Sequence, residues 1–291
     1  MVTSIKSPLT RKQRKGLKLA LVHLMLIAGA AIMLFPFAWL VSSTFKPVNE
    51  IFAVPVKWIP STITLDNYIS GWTGLPGYSF STFFLNSIQV TSIVVIATVF
   101  SSSFVAYGFS RINFKGRNFL FLLLLSTMMI PGQVTMIPLY ILFAKVNLVD
   151  TYWPLTLGAF FGGGAFFIFM LRQFYDSVPK DLDDSARIDG CGHFRIYWQI
   201  ILPLSKPALF SAGVFSFIWT YNDFMTPLIY LNDVKKYTVP VALRMFVDNA
   251  GKSNWGGLLA MSLVGMLPSI IIFFSAQRYF IEGIATTGLK G

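Results

Sequence analysis

Charge is scarce in this chain. Asp, Glu, Lys and Arg make up only 12% of its 291 residues, about half the share usual in a soluble domain. A surface this poor in charge cannot be kept in water, which excludes an ordinary cytosolic enzyme and a disordered chain. Cysteine is nearly absent. The single Cys191 allows neither an intrachain disulfide nor a Cys-x-x-Cys zinc or redox site. His23 and His193 are the only histidines, too few for a His-based metal centre. No paired carboxylates, nucleophile triad or metal-ligand cluster is visible, so no metal site and no catalytic residue is expected. What the chain has in excess is apolar: 55% hydrophobic, 16% aromatic, mean hydropathy +0.65. Its solvent is largely lipid.

The net charge of +11 would suggest nucleic acid in a soluble protein. Here the basic residues lie between long uncharged runs, so they read as a topology signal and nucleic acid is not expected. A helical span needs about 20 largely apolar residues. The runs predict six spans, at about 19–43, 82–110, 119–142, 152–171, 208–231 and 258–278, within a membrane domain at 19–280. A basic stretch, 1–18, precedes them, a long loop, 172–207, separates the fourth from the fifth, and a short tail, 281–291, follows. The run Leu19–Phe45 is 27 residues, well beyond a signal-peptide core of about 7–15, and reads as a span. The first part of the run Asn67–Ser110, rich in Gly, Pro and Tyr, is assigned to a loop. With both termini inside, 16 of the 23 Lys and Arg fall on the inner side, as the positive-inside rule requires. The basic N-terminus then faces the membrane lipid.

Few residues in the spans invite chemistry. Gly251-Lys252-Ser253 resembles the end of a P-loop, but Phe246 stands where the first glycine belongs. Gly158 and Gly162 have the GxxxG spacing that lets helices approach closely. Pro131-Gly132-Gln133 interrupts the third span; it is either a proline kink packed by its neighbours or part of a polar path at Gln133. Asp223 is the one carboxylate expected within a span, about 24 Å along its helix from Pro207. It either reaches the outer headgroups or faces a cavity together with Trp219 and Asn222.

The most informative stretch is Ser177–Pro207, SVPKDLDDSARIDGCGHFRIYWQIILPLSKP. Pro179 precedes a helix whose first turn carries Asp181, Asp183 and Asp184, which favour its positive end. Gly190 and Gly192 break it. A second helix is expected from His193 to Leu202, ended by Pro203. A helix–turn–helix between two spans suits docking of a partner better than DNA binding.

This stretch resembles the EAA loop of ABC importer permeases, written E-A-A-x-x-D-G-A followed by I-x-L-P. Asp184, Ser185 and Ala186 stand at E-A-A, Asp189, Gly190 and Cys191 at D-G-A, and Ile200, Leu202 and Pro203 at I-x-L-P. Asp for Glu, Ser for Ala and Cys for Ala are the departures. Trp58-Ile59-Pro60, Thr64–Tyr68, Met136–Tyr140, Asp150–Tyr152, Pro227–Ile229 and Thr238–Leu243 are similar to carbohydrate-importer permeases. The tail Thr286–Gly291 is similar to that of the maltose-type second permease.

The resemblance implies an all-α membrane protein of the type I ABC importer kind, with six transmembrane helices and a cytoplasmic EAA coupling helix. It implies a permease subunit of an ATP-driven, binding-protein-dependent sugar or oligosaccharide importer in a bacterial inner membrane, both termini cytoplasmic. The partners implied are a second permease, in a heterodimer, two ATPase subunits and an extracytoplasmic sugar-binding protein. ATP and Mg would bind on the ATPases, with no cofactor in this chain. The ATPases would be met by the loop and by Thr287, Gly288, Leu289 and Lys290 of the tail. The rivals are a permease for a polyol, glycerol phosphate or polyamine, and a self-contained secondary carrier or membrane enzyme, which would need no docking loop. The residues do not select the sugar, neutral or acidic.

Overall fold

The computed structural model describes residues 11–75, 77–247 and 253–288, with side chains described only between 15 and 277. The described residues form helices without a strand: α1 (Arg11–Thr44), α2 (Asp66–Thr73), α3 (Phe80–Arg111), α4 (Arg117–Thr127), α5 (Gly132–Lys145), α6 (Trp153–Thr156), α7 (Ala165–Ser177), α8 (Asp181–Ile188), α9 (His193–Ile196), α10 (Leu202–Leu204), α11 (Lys206–Tyr221), α12 (Met225–Tyr230), α13 (Val239–Arg244) and α14 (Trp255–Gly288). Among the described residues, four stretches are long and apolar enough to cross a membrane: Lys15–Thr44, Phe80–Arg111, Trp153–Ser177 and Trp255–Gln277. Two bent pairs bring the number to six if each is one span. These are α4 with α5, at 96°, and His193–Leu204 with α11, at 76°.

The centre of the bundle is α3. It packs on α7 and α11 and also meets α2, α6 and α13. Ser87, Thr91, Thr98 and Ser102 fall on one side of it at 100° per residue, and all four are buried. Small polar residues of this kind let helices approach closely in an apolar medium. α1, by contrast, is exposed from residue 15 to 36, a surface for lipid or another helix to cover.

The helical span read at 152–171 is broken inside. Gly162, Gly163 and Gly164 have φ of +99°, +63° and +110°, after a 3₁₀ turn at Leu157–Phe161. Backbone groups freed in a membrane need partners, and Ser101 of α3 supplies them. Its hydroxyl donates to the Ala159 carbonyl at 2.6 Å and accepts the Gly162 N–H at 3.0 Å. The close approach is therefore made by Gly163, where a Cβ would lie 2.3 Å from Thr98 Cγ2, and not by the GxxxG glycine Gly158, which has nothing within 4 Å.

Three other expectations are corrected. The loop read at 67–81 contains α2, which is held by Asn67: its buried amide donates to the Thr44 and Lys46 carbonyls at 2.9 and 2.8 Å. Pro203 does not end the second helix of the loop, because a π turn at Tyr197–Ile201 carries the chain into α10 and the bend comes at Ser205. The helix read at 208–231 stops at Tyr221, so Asp223 lies in a break and not within a helix. There Asp223 Oδ1 accepts the Thr226 N–H at 3.1 Å, a free donor of α12's first turn.

At the end of the bundle that holds this break, Asp150 ties two loops together. Its Oδ1 accepts the Asn232 and Asp233 N–H groups, both at 2.9 Å, and Lys236 Nζ donates to Oδ2 at 2.6 Å. The Asp233 N–H, then the Lys236 ammonium and the Asn232 N–H, hold the carboxyl down at about 2.

Two outcomes are expected. Gly163→Ala should lower the thermal midpoint by the equivalent of about 2 kcal/mol, from a left-handed backbone and a clash with Thr98. Gly158→Ala should stay within about 0.5 kcal/mol. For Asp150, the folded value lies below the unfolded one of about 3.9, so its stabilisation is complete above about pH 4 and is lost as pH falls toward 2. The midpoint difference between the native chain and Asp150→Asn, followed from pH 7 downward, should therefore be largest at neutral pH and vanish near pH 2.

Candidate functional site

Two places gather unusual residues: the knob α8–α10, and the α11–α12 break at the other end of the bundle. The knob starts from sequence signals that work as expected. α8 carries Asp181, Asp183 and Asp184 in its first turn and Arg187 in its last, each at the favourable end of the helix dipole. Gly190 closes it at φ +81°, with the Gly190 N–H on the Arg187 carbonyl and the Cys191 N–H on the Ala186 carbonyl, both at 2.9 Å. That is a left-handed glycine cap, where a side chain would be strained.

Two faces of the knob differ sharply. Outward lie Asp184, Ser185, Asp189 and Pro203, with Ile188 87% and Phe194 69% exposed. Asp184 faces Arg187 at 3.6 Å, and Ser185 bonds back to the Asp181 carbonyl at 2.8 Å. Inward, Ala186, Ile196, Tyr197 and Ile201 join a buried cluster with α3 and α7, against which Cys191 and Leu202 pack. Ile188 and Phe194 thus stand exposed beside the charges of Asp184, Arg187 and Asp189.

The knob is held to the bundle by a polar stripe on α3: Ser103, then Tyr107, Ser110 and Arg111, four, seven and eight residues on. Ser103 Oγ lies 2.7 Å from both the Tyr175 and the Tyr197 hydroxyls. The Tyr107 hydroxyl donates to the His193 carbonyl at 3.0 Å, and Ser110 donates to Asp176 at 2.6 Å. Arg111 Nη2 donates to the Tyr175 and Val178 carbonyls, both at 2.7 Å, where the chain leaves α7 for α8. Arg111 Nη1 faces Asp183 Oδ2 at 3.3 Å, with the two side chains only 1% and 6% exposed. Arg111 Nε and Nη1 and Asp183 Oδ1 have no hydrogen-bond partner, so Arg111 and Asp183 meet as a buried ion pair and not through a hydrogen bond.

Nothing in the sequence around Arg111 or Asp183 marks them as a pair; Asp183 reads there only as one of the acids in a helix's first turn. The signal that could have found them is the helical spacing of 103, 107, 110 and 111, ending on a charge where an apolar run stops.

At the break, Trp219 packs on the rings of Phe166, Phe167 and Phe215 at 4.9, 5.4 and 5.9 Å and keeps an exposed face. Asn222 is exposed; its amide donates to the Ile218 carbonyl at 2.8 Å and reaches Ser269 Oγ of α14 at 3.4 Å. Asp223 is half-buried beside them. Gln133 stands apart, exposed in the first turn of α5. Of the tail, Leu289 and Lys290 lie outside the described residues, and only the backbone of Thr287 and Gly288 is described.

Residues 98–285 match the family model described as "Binding-protein-dependent transport system inner membrane component". The chain is 36% identical over 261 residues to the probable ABC transporter permease protein YurM of Bacillus subtilis, covering 88% of this chain and 84% of that one. It is 38% identical over 264 residues to the arabinooligosaccharides transport system permease protein AraQ of Halalkalibacterium halodurans, covering 90% and 93%. In fold it is similar to a chain of a bacterial ABC transporter involved in import of the acidic polysaccharide alginate. The TM-score is 0.79 at 22% identity, over 94% of this chain and all of that one.

Removing one partner of the buried pair should leave an uncompensated charge. Asp183→Ala is expected to cost about 3–5 kcal/mol and to open the 177–205 segment to protease, measured on the chain in membranes. Replacing both residues, Arg111→Met with Asp183→Leu, should recover only part of that loss, because the Tyr175 and Val178 carbonyls lose their donor.

Proposed function

The chain belongs to the family of binding-protein-dependent transport system inner membrane components, and on that premise we propose that it is the permease subunit of an ATP-driven sugar importer. Members of this family are transport subunits, so the chain supplies a pathway and not a reaction. The substrate class is an oligosaccharide. The relative named for arabinooligosaccharides supports this, as does the ring cluster at Trp219, whose open face suits the CH face of a sugar.

The observation that carries the coupling role is the exposed apolar face of the knob, Ile188 and Phe194 above the Asp184–Asp189 edge. In this reading the knob is the cytoplasmic docking surface for an ATPase. A second permease completes the pathway, and a binding protein delivers the sugar from outside. Asp184, Ser185, Asp189, Gly190 and Pro203 shape the docking face, while Ala186, Cys191 and Leu202 seat it. ATP and Mg are held by two ATPase subunits, and the tail at Thr287–Lys290 reaches them. Both termini are then cytoplasmic, in keeping with the basic residues. ATPase closure presses on the knob, and the α3 stripe passes the displacement to the bundle. Such a stroke works only through contacts that differ between two states. Trp219, Asn222 and Gln133 are the proposed pathway residues, with Asp223 shaping the break beside them.

The test is copurification and uptake. An ATPase should copurify with the detergent-solubilised native chain. Gly190→Pro, Asp184→Lys and Ile188→Asp should each insert normally yet lose the ATPase and lower sugar uptake at least tenfold. Uptake that persists without ATP, or normal uptake in all three variants, would overturn the reading.

A further inference from the structure

A second polar feature lies away from the knob, where α3, the α11–α12 break and the start of α13 meet. A cavity of about 20 Å³ is lined there by Ser87, Thr91, Thr220, Asp223 and Thr238. That is too small for a sugar ring. It suits one water molecule, which needs about 10–15 Å³ and two to four polar partners.

Thr238 points to what the cavity takes. It stands at the N-cap of α13, where a threonine hydroxyl ordinarily accepts an N–H of the first turn. Here no such bond forms. The Thr238 carbonyl accepts the Ala242 N–H at 2.9 Å, but its Oγ1 is buried without a partner, in a residue only 5% exposed. Hydroxyls so buried are almost always bonded to protein or ordered water. Across the cavity, Asp223 spends Oδ1 on the Thr226 N–H, leaving Oδ2 to accept a further donor. Ser87 Oγ is engaged by the Val239 N–H at 2.8 Å. Thr91, 1% exposed, offers another hydroxyl from α3.

We propose that this cavity is the site of one ordered water. It accepts from the Thr238 hydroxyl, donates to the Asp223 carboxylate and takes the Thr91 hydroxyl as third partner. The water pins the break in the fifth span to α3 and α13. This rests on the cavity and its lining alone and stands whether or not the chain carries sugar.

The sign of one substitution tests it. Thr238→Val keeps the shape and removes the hydroxyl. If the hydroxyl holds a water, the full-length chain in nanodiscs should melt about 2 °C lower or more, Thr238→Ser should restore the native midpoint, and Thr91→Val combined with Thr238→Val should cost less than the sum of the two alone. An unchanged or raised midpoint in Thr238→Val would overturn the proposal, since deleting an unsolvated hydroxyl is neutral or stabilising. Additive losses in the double variant would do the same. If Thr238→Val does not accumulate, density for the native chain at better than about 2 Å decides: a peak between Thr238 and Asp223 supports the water, and none refutes it.

Discussion

The architecture depends on the buried contact between Arg111 at the end of α3 and the start of the knob. One guanidinium holds the carbonyls of Tyr175 and Val178 and faces Asp183. It thereby fixes where α7 ends, how the chain turns into α8 and where the outward face of α8 points. A buried pair of this kind adds little net stability over apolar packing. Its value is directional, because a guanidinium fork satisfies its acceptors in few orientations. Ser103 and Tyr107 extend the same logic up α3, so the knob cannot turn without breaking several buried hydrogen bonds at once.

The rest of the bundle solves a recurring problem of membrane helices, which is what to do with the backbone where a helix breaks. Two of the breaks described above are served by a side chain. Ser101 serves the glycine break in the fourth span, and Asp223 serves the start of α12. Asn67 performs the same service for the chain leaving α1. α3 contributes to the first directly through Ser101 and lines the cavity beside the second with Ser87 and Thr91. A purely apolar central helix would leave the glycine break without a partner.

The two ends of the bundle differ in what they present. One end of the bundle presents a rigid knob with an apolar, acid-edged face. The other holds interrupted helices, loops clasped by Asp150 and Lys236, and an aromatic cluster with an open side. The hydrogen-bonded stripe of α3 lies under the knob at one end, and the capped break lies at the other.

The sequence by itself determined the medium and the helical class, because scarcity of charge and long apolar runs depend on composition alone. It also determined the knob: Pro179, the acidic first turn and Gly190 act within a few residues of themselves, and the resemblance to importer permeases rests on the same local pattern. Only the tertiary structure decided which polar residues matter. Arg111 and Asp183 lie 72 positions apart, and nothing near either one announces the other. Asp223 was placed in a helix because the apolar run continues past it, yet its carboxylate competes for the backbone and starts a new helix. Gly158 carries the packing motif, but Gly163 makes the close approach, since the helix that would have aligned the motif is broken by the glycines themselves. Local signals are read from neighbours along the chain; pairing of buried polar groups is settled by which helices come together in space.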